Sequence, residues 1–191
     1  MEDFYQHNYF AYHKKTFHID PSSFLAPLIR HLKPDASILD VGCGSGRDLL
    51  WLKKSGFKVT GFERSEGLAD LARKYAGCKI IVGDFDVYDF SKQTFDAVLL
   101  CGSLVHIPHA RLESVFGNII KGVGVGGNVL VSLKEGVGSS TAEDGRTFHF
   151  WQSDDLGNIF SKNGLRILDF QRNTSKVNSM DTWLSYVLTR E

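Results

Sequence analysis

From residue 37 onward, short apolar runs alternate with stretches whose apolar positions recur at helical spacing. Residues 38–41 carry a buried-strand pattern that runs into "GCGSG" at 42–46. Leu49, Leu50, Trp51 and Leu52 then predict a helix over 48–54, closed by Gly56. "KVTGFE" (58–63) reads as a second strand, and 66–76 as a helix with Leu68, Leu71, Ala72 and Tyr75 on one face. Residues 78–85 and 95–102 predict the third and fourth strands. A helix over 109–121, a glycine-rich turn at 122–127 and a fifth strand at 128–136 follow. Ser153 is placed to cap a helix over 153–162 that Asn163-Gly164 ends. Two β-like runs, 165–172 and 182–190, are expected to pair antiparallel at the sheet edge. Upstream, 4–18 is dense in aromatics and histidines without clean periodicity, and a helix begins at Pro21-Ser22-Ser23 and stops at Pro34. The stretch 134–148 has no pattern; its part 137–147 reads equally as a mobile loop or a lid.

Strand and helix in alternation predict a doubly wound α/β fold. The expected form is a mostly parallel seven-stranded sheet with an antiparallel C-terminal edge strand and helices on both faces. Residues 1–34 form a helical cap and 35–191 the core of a single domain. Lysine plus arginine equal aspartate plus glutamate at 22 each, so no nucleic-acid surface held by net charge is expected. Cys43, Cys78 and Cys101 are odd in number and far apart, which suits free thiols in a reducing compartment. The acidic opening "MEDFYQHNYF" lacks the apolar core of a secretory signal, and no run of 18 apolar residues predicts a membrane span. These features predict a cytoplasmic protein; oligomeric state is not legible.

The loop after the first strand carries the candidate chemistry. In a doubly wound sheet, ligands sit beyond the carboxyl ends of the strands, where strand order reverses. Gly42, Gly44 and Gly46 let the backbone turn and approach a ligand there, and the helix starting near Arg47 aims its N-terminal amides at it. Glu63 closes the second strand, 17 residues after Gly46, where a carboxylate accepts from both hydroxyls of a ribose. Asp84-Phe85, an acid beside a ring at the end of the third strand, suits an adenine amino group and face. The spacing Asp40-x-Gly42-x-Gly44-x-Gly46 departs from the G-x-G-x-x-G of dinucleotide loops. Asp40 suits an amino-acid ammonium better than a pyrophosphate, and no Gly-Lys-Ser/Thr follows to make a P-loop.

"LDVGCGSG", Glu63 and "GDF" at 83–85 together resemble the class I, Rossmann-like methyltransferases that use S-adenosylmethionine. The likeness continues through "FDAVLLCGSLVHIP" and "NVLVSLKEG", so that roughly residues 8–190 follow the pattern. It implies that Asp40, Gly42, Cys43 and Gly44 surround the methionyl part of the cofactor, with Gly46 and Arg47 in the same loop. It also implies that Glu63 holds the ribose with Arg64 beside it, and that Asp84 and Phe85 read the adenine. Cys101, Gly102 and Ser103 would line the floor near the sulfonium. "AYHKKTF" and "GSGRD" are similar to small-molecule members, in which Tyr12 and Thr16 would help cover the cofactor.

Methyl transfer is an in-line displacement, so positioning the acceptor is the main task, and a base near neutral pKa helps with a hydroxyl or protonated nitrogen. His106, a few residues after the fourth strand, is the candidate base; its plainer role is a structural loop histidine. His106 and His109 make an H-x-x-H spacing, but no acid or cysteine converges on it, and no metal is expected. Arg146 and His149 are candidate acceptor contacts, with a surface loop as the alternative. The expected function is methyl transfer to a small-molecule acceptor at oxygen or nitrogen, leaving S-adenosylhomocysteine. The rivals are methylation of a protein or nucleic acid, a non-catalytic cofactor-binding module, and a nicotinamide dehydrogenase. The sequence does not name the acceptor.

Overall fold

Central strands with apolar residues on both faces can be covered only by helices on both sides, and the molecule is built in that way. The computed structural model describes residues 2–191, with side chains from Phe4 onward. Its strands in chain order are β1 (Ser37–Val41), β2 (Lys58–Glu63), β3 (Lys79–Val82), β4 (Phe95–Cys101), β5 (Val123–Lys134), β6 (Ser139–Thr141), β7 (Thr147–His149), β8 (Leu165–Thr174) and β9 (Thr182–Arg190). The helices are α1 (Glu2–His7), α2 (Tyr9–Thr16), α3 (Ser22–Ile29), α4 (Arg47–Lys54), α5 (Glu66–Ala76), α6 (His109–Ile119) and α7 (Ser153–Lys162). Seven strands form one sheet in the order β3-β2-β1-β4-β5-β9-β8. The first five are mutually parallel, and β9 runs antiparallel to both β5 and β8.

Successive side chains of a strand point to opposite faces, and β1 divides between two cores accordingly. Leu39 and Val41 join Val98, Leu100, Val129 and Val131 under Leu112, Phe116 and Phe160 of α6 and α7. Ile38 joins Leu99 and Leu130 under Leu25 and Leu28 of α3 and Leu52 of α4. Each such fully buried leucine is worth about 1.5–3 kcal/mol relative to exposure. Strand order reverses between β1 and β4, so their carboxyl ends open a crevice at the switch point.

Several local expectations change. The C-terminal strand lies one place in from the edge, because β9 inserts between β5 and β8; the antiparallel pair does close that side of the sheet. The glycine-rich stretch 122–127 is largely the start of β5, with a register shift opposite Phe95 and Ala97. Residues 4–18 hold α1 and α2, and the patternless 134–148 contains the β6–β7 hairpin. Gln152, not Ser153, is the residue before α7, and the Ser153 hydroxyl accepts a bond from the Tyr186 hydroxyl at 3.0 Å. Among the described residues no helix is long and apolar enough to cross a membrane.

Candidate functional site

Gly42 and Gly44 both have positive φ (77° and 55°), so β1 can turn at once into a loop that a side chain would strain. The Gly42 and Cys43 amides donate to the Phe62 carbonyl at 2.8 and 3.1 Å, hooking the loop to β2. A Cβ on Gly42 would fall 2.5 Å from the Ser103 Cβ, so this glycine lets the loop touch the segment after β4.

Glu63, at the end of β2, is 8% exposed yet has, among the described residues, no cationic partner within ion-pair distance. Its carboxylate instead accepts from three backbone amides, those of Gly44, Arg64 and Ser65, each at 2.9 Å. Burial pushes its pKa up, and the three amides oppose the shift. Asp84 accepts from the Asp86 amide at 2.9 Å and from Arg64 Nη1 at 3.5 Å. These groups wall a cavity of about 920 Å³ beyond the carboxyl ends of the strands. Gly42, Gly44, Glu63, Arg64, Asp84, Phe85 and Ser103 line it, as do His106 and His149.

A second cavity of about 780 Å³ lies beside the first, and Tyr5, Tyr12, Cys101 and Gly102 border both. Thr16, Arg47 and Arg146 face this second space. Thr16 donates its hydroxyl to the Tyr12 carbonyl at 2.8 Å. Arg47 pairs with Asp48 at 2.6 and 3.0 Å. Arg146, just before β7, pairs with Asp144 at 2.7 Å and lies 4.1 Å from the centre of the Phe4 ring. The predicted acceptor contacts are therefore divided, with His149 on the first cavity and Arg146 on the second.

Asp40, Cys43 and Gly46 line neither cavity. Asp40 is buried with Oδ2 unpartnered among the described residues, and burial together with Asp48 pushes its carboxyl up. Cys43 turns into the small core between α4 and α5. Gly46 (φ 84°) serves close packing, since a Cβ there would meet the Ala72 Cα at 2.9 Å.

His106 is held at both ring nitrogens: Nδ1 lies 2.6 Å from the Thr147 carbonyl and Nε2 2.9 Å from the Tyr5 hydroxyl. Burial lowers its pKa, with Arg146, Lys134 and His149 acting in the same direction and the Thr147 carbonyl against it. Burial also raises the Tyr5 pKa, with Arg146 pulling the other way.

Three residues of the second cavity carried no individual signal in the sequence. Lys134, 12% exposed in its side chain, pairs with Asp181 at 2.8 Å and sits 4.1 Å from the centre of the Phe148 ring. Trp183 packs on Gly102, where a Cβ would meet its Cη2 at 3.0 Å. Tyr5 belonged only to an aromatic-rich segment. Among the described residues no group of three or more His, Cys, Asp or Glu side chains gathers as a metal site.

The chain matches the family described as methyltransferase domain over residues 38–127. Residues 38–127, just under half of the chain, are thus similar to a methyltransferase domain. A sterol 24-C-methyltransferase of Neurospora crassa is 32% identical over 122 residues, 55% of this chain and 32% of that protein. Phosphoethanolamine N-methyltransferase 1 of Zea mays is 34% identical over 109 residues, 53% of this chain and 21% of that protein. The chain thus spans a third or less of the length of these two relatives. Magnesium protoporphyrin IX methyltransferase of Synechocystis PCC 6803, solved with S-adenosylhomocysteine, superposes with a TM-score of 0.80 at 16% identity, covering 100% of this chain and 97% of that one. That likeness establishes the fold. The matched stretch of the methyltransferase domain holds the glycine loop, Glu63, Asp84 and the segment after β4. Most of the second cavity comes from outside it: α1, α2, the hairpin and β9.

Proposed function

We propose that this chain transfers a methyl group from S-adenosylmethionine to a small molecule, with the cofactor in the first cavity and the acceptor in the second. The observation that carries the reading is Glu63. A carboxylate buried at the end of β2 and oriented by three backbone amides keeps lone-pair capacity for ribose hydroxyls, and it lines the first cavity together with Gly42 and Gly44. The loop suits an adenosyl amino acid, because a Cβ on Gly44 would meet only the Tyr12 ring, 3.6 Å away. Arg64 fixes Asp84 beside Phe85, an acid and a ring for the adenine. Cys101, Gly102 and Tyr12, common to both cavities, mark where the methyl would pass. Asp40, Cys43 and Gly46 act by shaping and supporting the loop. Bound there, S-adenosylmethionine supplies an electrophilic methyl group on a positive sulfur.

The remaining assignments belong to this chain's own residues. Residues 2–34 form a cap: Ser65 donates to the Tyr5 carbonyl at 3.1 Å and Gln6 accepts from the Glu66 amide at 3.1 Å, tying α1 across the cofactor cavity. Thr16, Arg47 and Arg146 shape the acceptor cavity. His106 receives the proton that an oxygen or nitrogen acceptor must lose, and His149 stands near it. A cavity of about 780 Å³ is of small-molecule size. A neutral chain with free Cys43, Cys78 and Cys101 fits a cytoplasmic enzyme that binds neither nucleic acid nor membrane.

Incubation with a cell metabolite extract and methyl-labelled cofactor tests the reading. Label should appear in a low-mass product, and His106→Ala should slow its formation about a hundredfold with S-adenosylhomocysteine affinity unchanged. Label in protein or nucleic acid alone would contradict a small-molecule acceptor.

A further inference from the structure

Tyr5 borders both cavities, whereas His106 lines the first alone. Between them runs a hydrogen-bond chain whose direction follows from a group that can only accept. The Thr147 carbonyl lies 2.6 Å from His106 Nδ1, so Nδ1 donates. The neutral ring then offers its lone pair at Nε2, and the Tyr5 hydroxyl donates into it at 2.9 Å. Arg146 Nη1 donates to the same Tyr5 oxygen at 3.4 Å. A phenolic oxygen has one proton and two lone pairs. The proton is committed to His106 and one lone pair to Arg146, which leaves one lone pair for a further donor. His106 itself has no free ring nitrogen.

We propose that Tyr5 is a catalytic residue, taking the acceptor's proton as it hands its own to His106, and that the acceptor is a planar hydroxyl compound of phenol or enol type. The inference rests on the methyl-transfer reading above and deepens it. As the acceptor oxygen forms the new C–O bond, the C–S bond breaks and its electron pair stays on sulfur. The acceptor proton moves to Tyr5 Oη, the tyrosine proton to His106 Nε2, and the imidazolium then releases it to water. The products are a methyl ether, S-adenosylhomocysteine and one proton.

The acceptor class follows from matching. Exchange through a tyrosine is nearly even in energy when the incoming O–H has a phenol's acidity; an alkyl alcohol is a far weaker acid. An ammonium acceptor matches in acidity, but it would have to approach an oxygen that already carries the Arg146 guanidinium. Phe148, Phe150 and Trp183 supply ring faces in the second cavity, with the Lys134 ammonium 4.1 Å from the Phe148 centroid and 5.9 Å from that of Trp183. A flat, electron-rich ring that becomes anionic suits those walls.

The test uses 4-nitrophenol, whose ionised form absorbs visible light, titrated into the full chain saturated with S-adenosylhomocysteine. The wild type should bind it as the phenolate at a pH where free probe is largely neutral. Tyr5→Phe and His106→Gln should each reduce the bound ionised fraction about tenfold, and the double variant no further, as expected of one relay. S-adenosylhomocysteine affinity, measured by calorimetry, should be unchanged in Tyr5→Phe. With S-adenosylmethionine, Tyr5→Phe should slow methylation of phenol about a hundredfold and lose most of that deficit on 4-nitrophenol already ionised at higher pH. Equal loss on the two acceptors, additive variants, or no binding or turnover of either phenol by protein that holds S-adenosylhomocysteine would overturn the inference. Failure of the wild type to hold S-adenosylhomocysteine would instead overturn the reading beneath it.

Discussion

At the scale of single residues, Glu63 is a buried carboxylate oriented by backbone amides, as the proposed hold on ribose requires. Three amides orient it, but burial makes its charge costly, so its pKa is raised. Ribose hydroxyls can donate only to the ionised form without competition. S-adenosylhomocysteine affinity should therefore fall as pH drops through the raised Glu63 pKa, with a proton taken up as ligand leaves. Glu63→Ala should cost about 1–3 kcal/mol of affinity at neutral pH, and calorimetry across pH reads both effects; an unchanged affinity would place the ribose elsewhere. His106 has the opposite sign. Its pKa is lowered by burial, then by Arg146, Lys134 and His149, against the Thr147 carbonyl, while Tyr5 and Asp144 also face it. The ring thus stays neutral below the ordinary histidine range. The rate at saturating substrates should be flat through that range and fall only in more acid solution; a fall centred at the ordinary value would show an unshifted base. That Gly42, Gly44, Glu63 and Asp84 line one cavity was legible, because their meeting follows from spacing along neighbouring strand ends. Tyr5 was not, since its bond to His106 spans 101 positions and leaves no periodic trace.

At the scale of elements, Ser65 joins two functions. Its hydroxyl accepts from the Leu68 amide at 3.3 Å as the N-cap of α5 and donates to the Tyr5 carbonyl at 3.1 Å. Ser65→Ala should lower stability by about 1 kcal/mol, the usual worth of a cap, and should loosen α1 as well. A thermal melt gives the first, and exchange of the α1 amides the second; no change in either would mean the hydroxyl is replaced by water without cost. Helices and strands from β1 to α6 were readable because each buries one regular face. The place of β9 was not, because the alternation that marks a strand says nothing about which neighbour it chooses. The β6–β7 hairpin was hidden for a related reason: its strands are three residues each and lack a buried face to impose alternation.

At the scale of the whole molecule, the chain divides into a shared part and a particular one. The switch point between β1 and β4 makes most of the first cavity out of residues 38–127, the stretch similar to a methyltransferase domain. The N-terminal helices, the hairpin and β9 close the second around Tyr5, Lys134, Arg146 and Trp183. This division explains why the first cavity was legible in the sequence and the second was not: glycine and acid spacing are local, whereas the second cavity is assembled from segments far apart in the chain. The proposed activity requires the first cavity to hold an adenosyl amino acid. The most direct measurement is calorimetric titration with S-adenosylmethionine, S-adenosylhomocysteine and NAD side by side. Saturable binding of the first two and none of NAD is the predicted result; binding of NAD alone would contradict it.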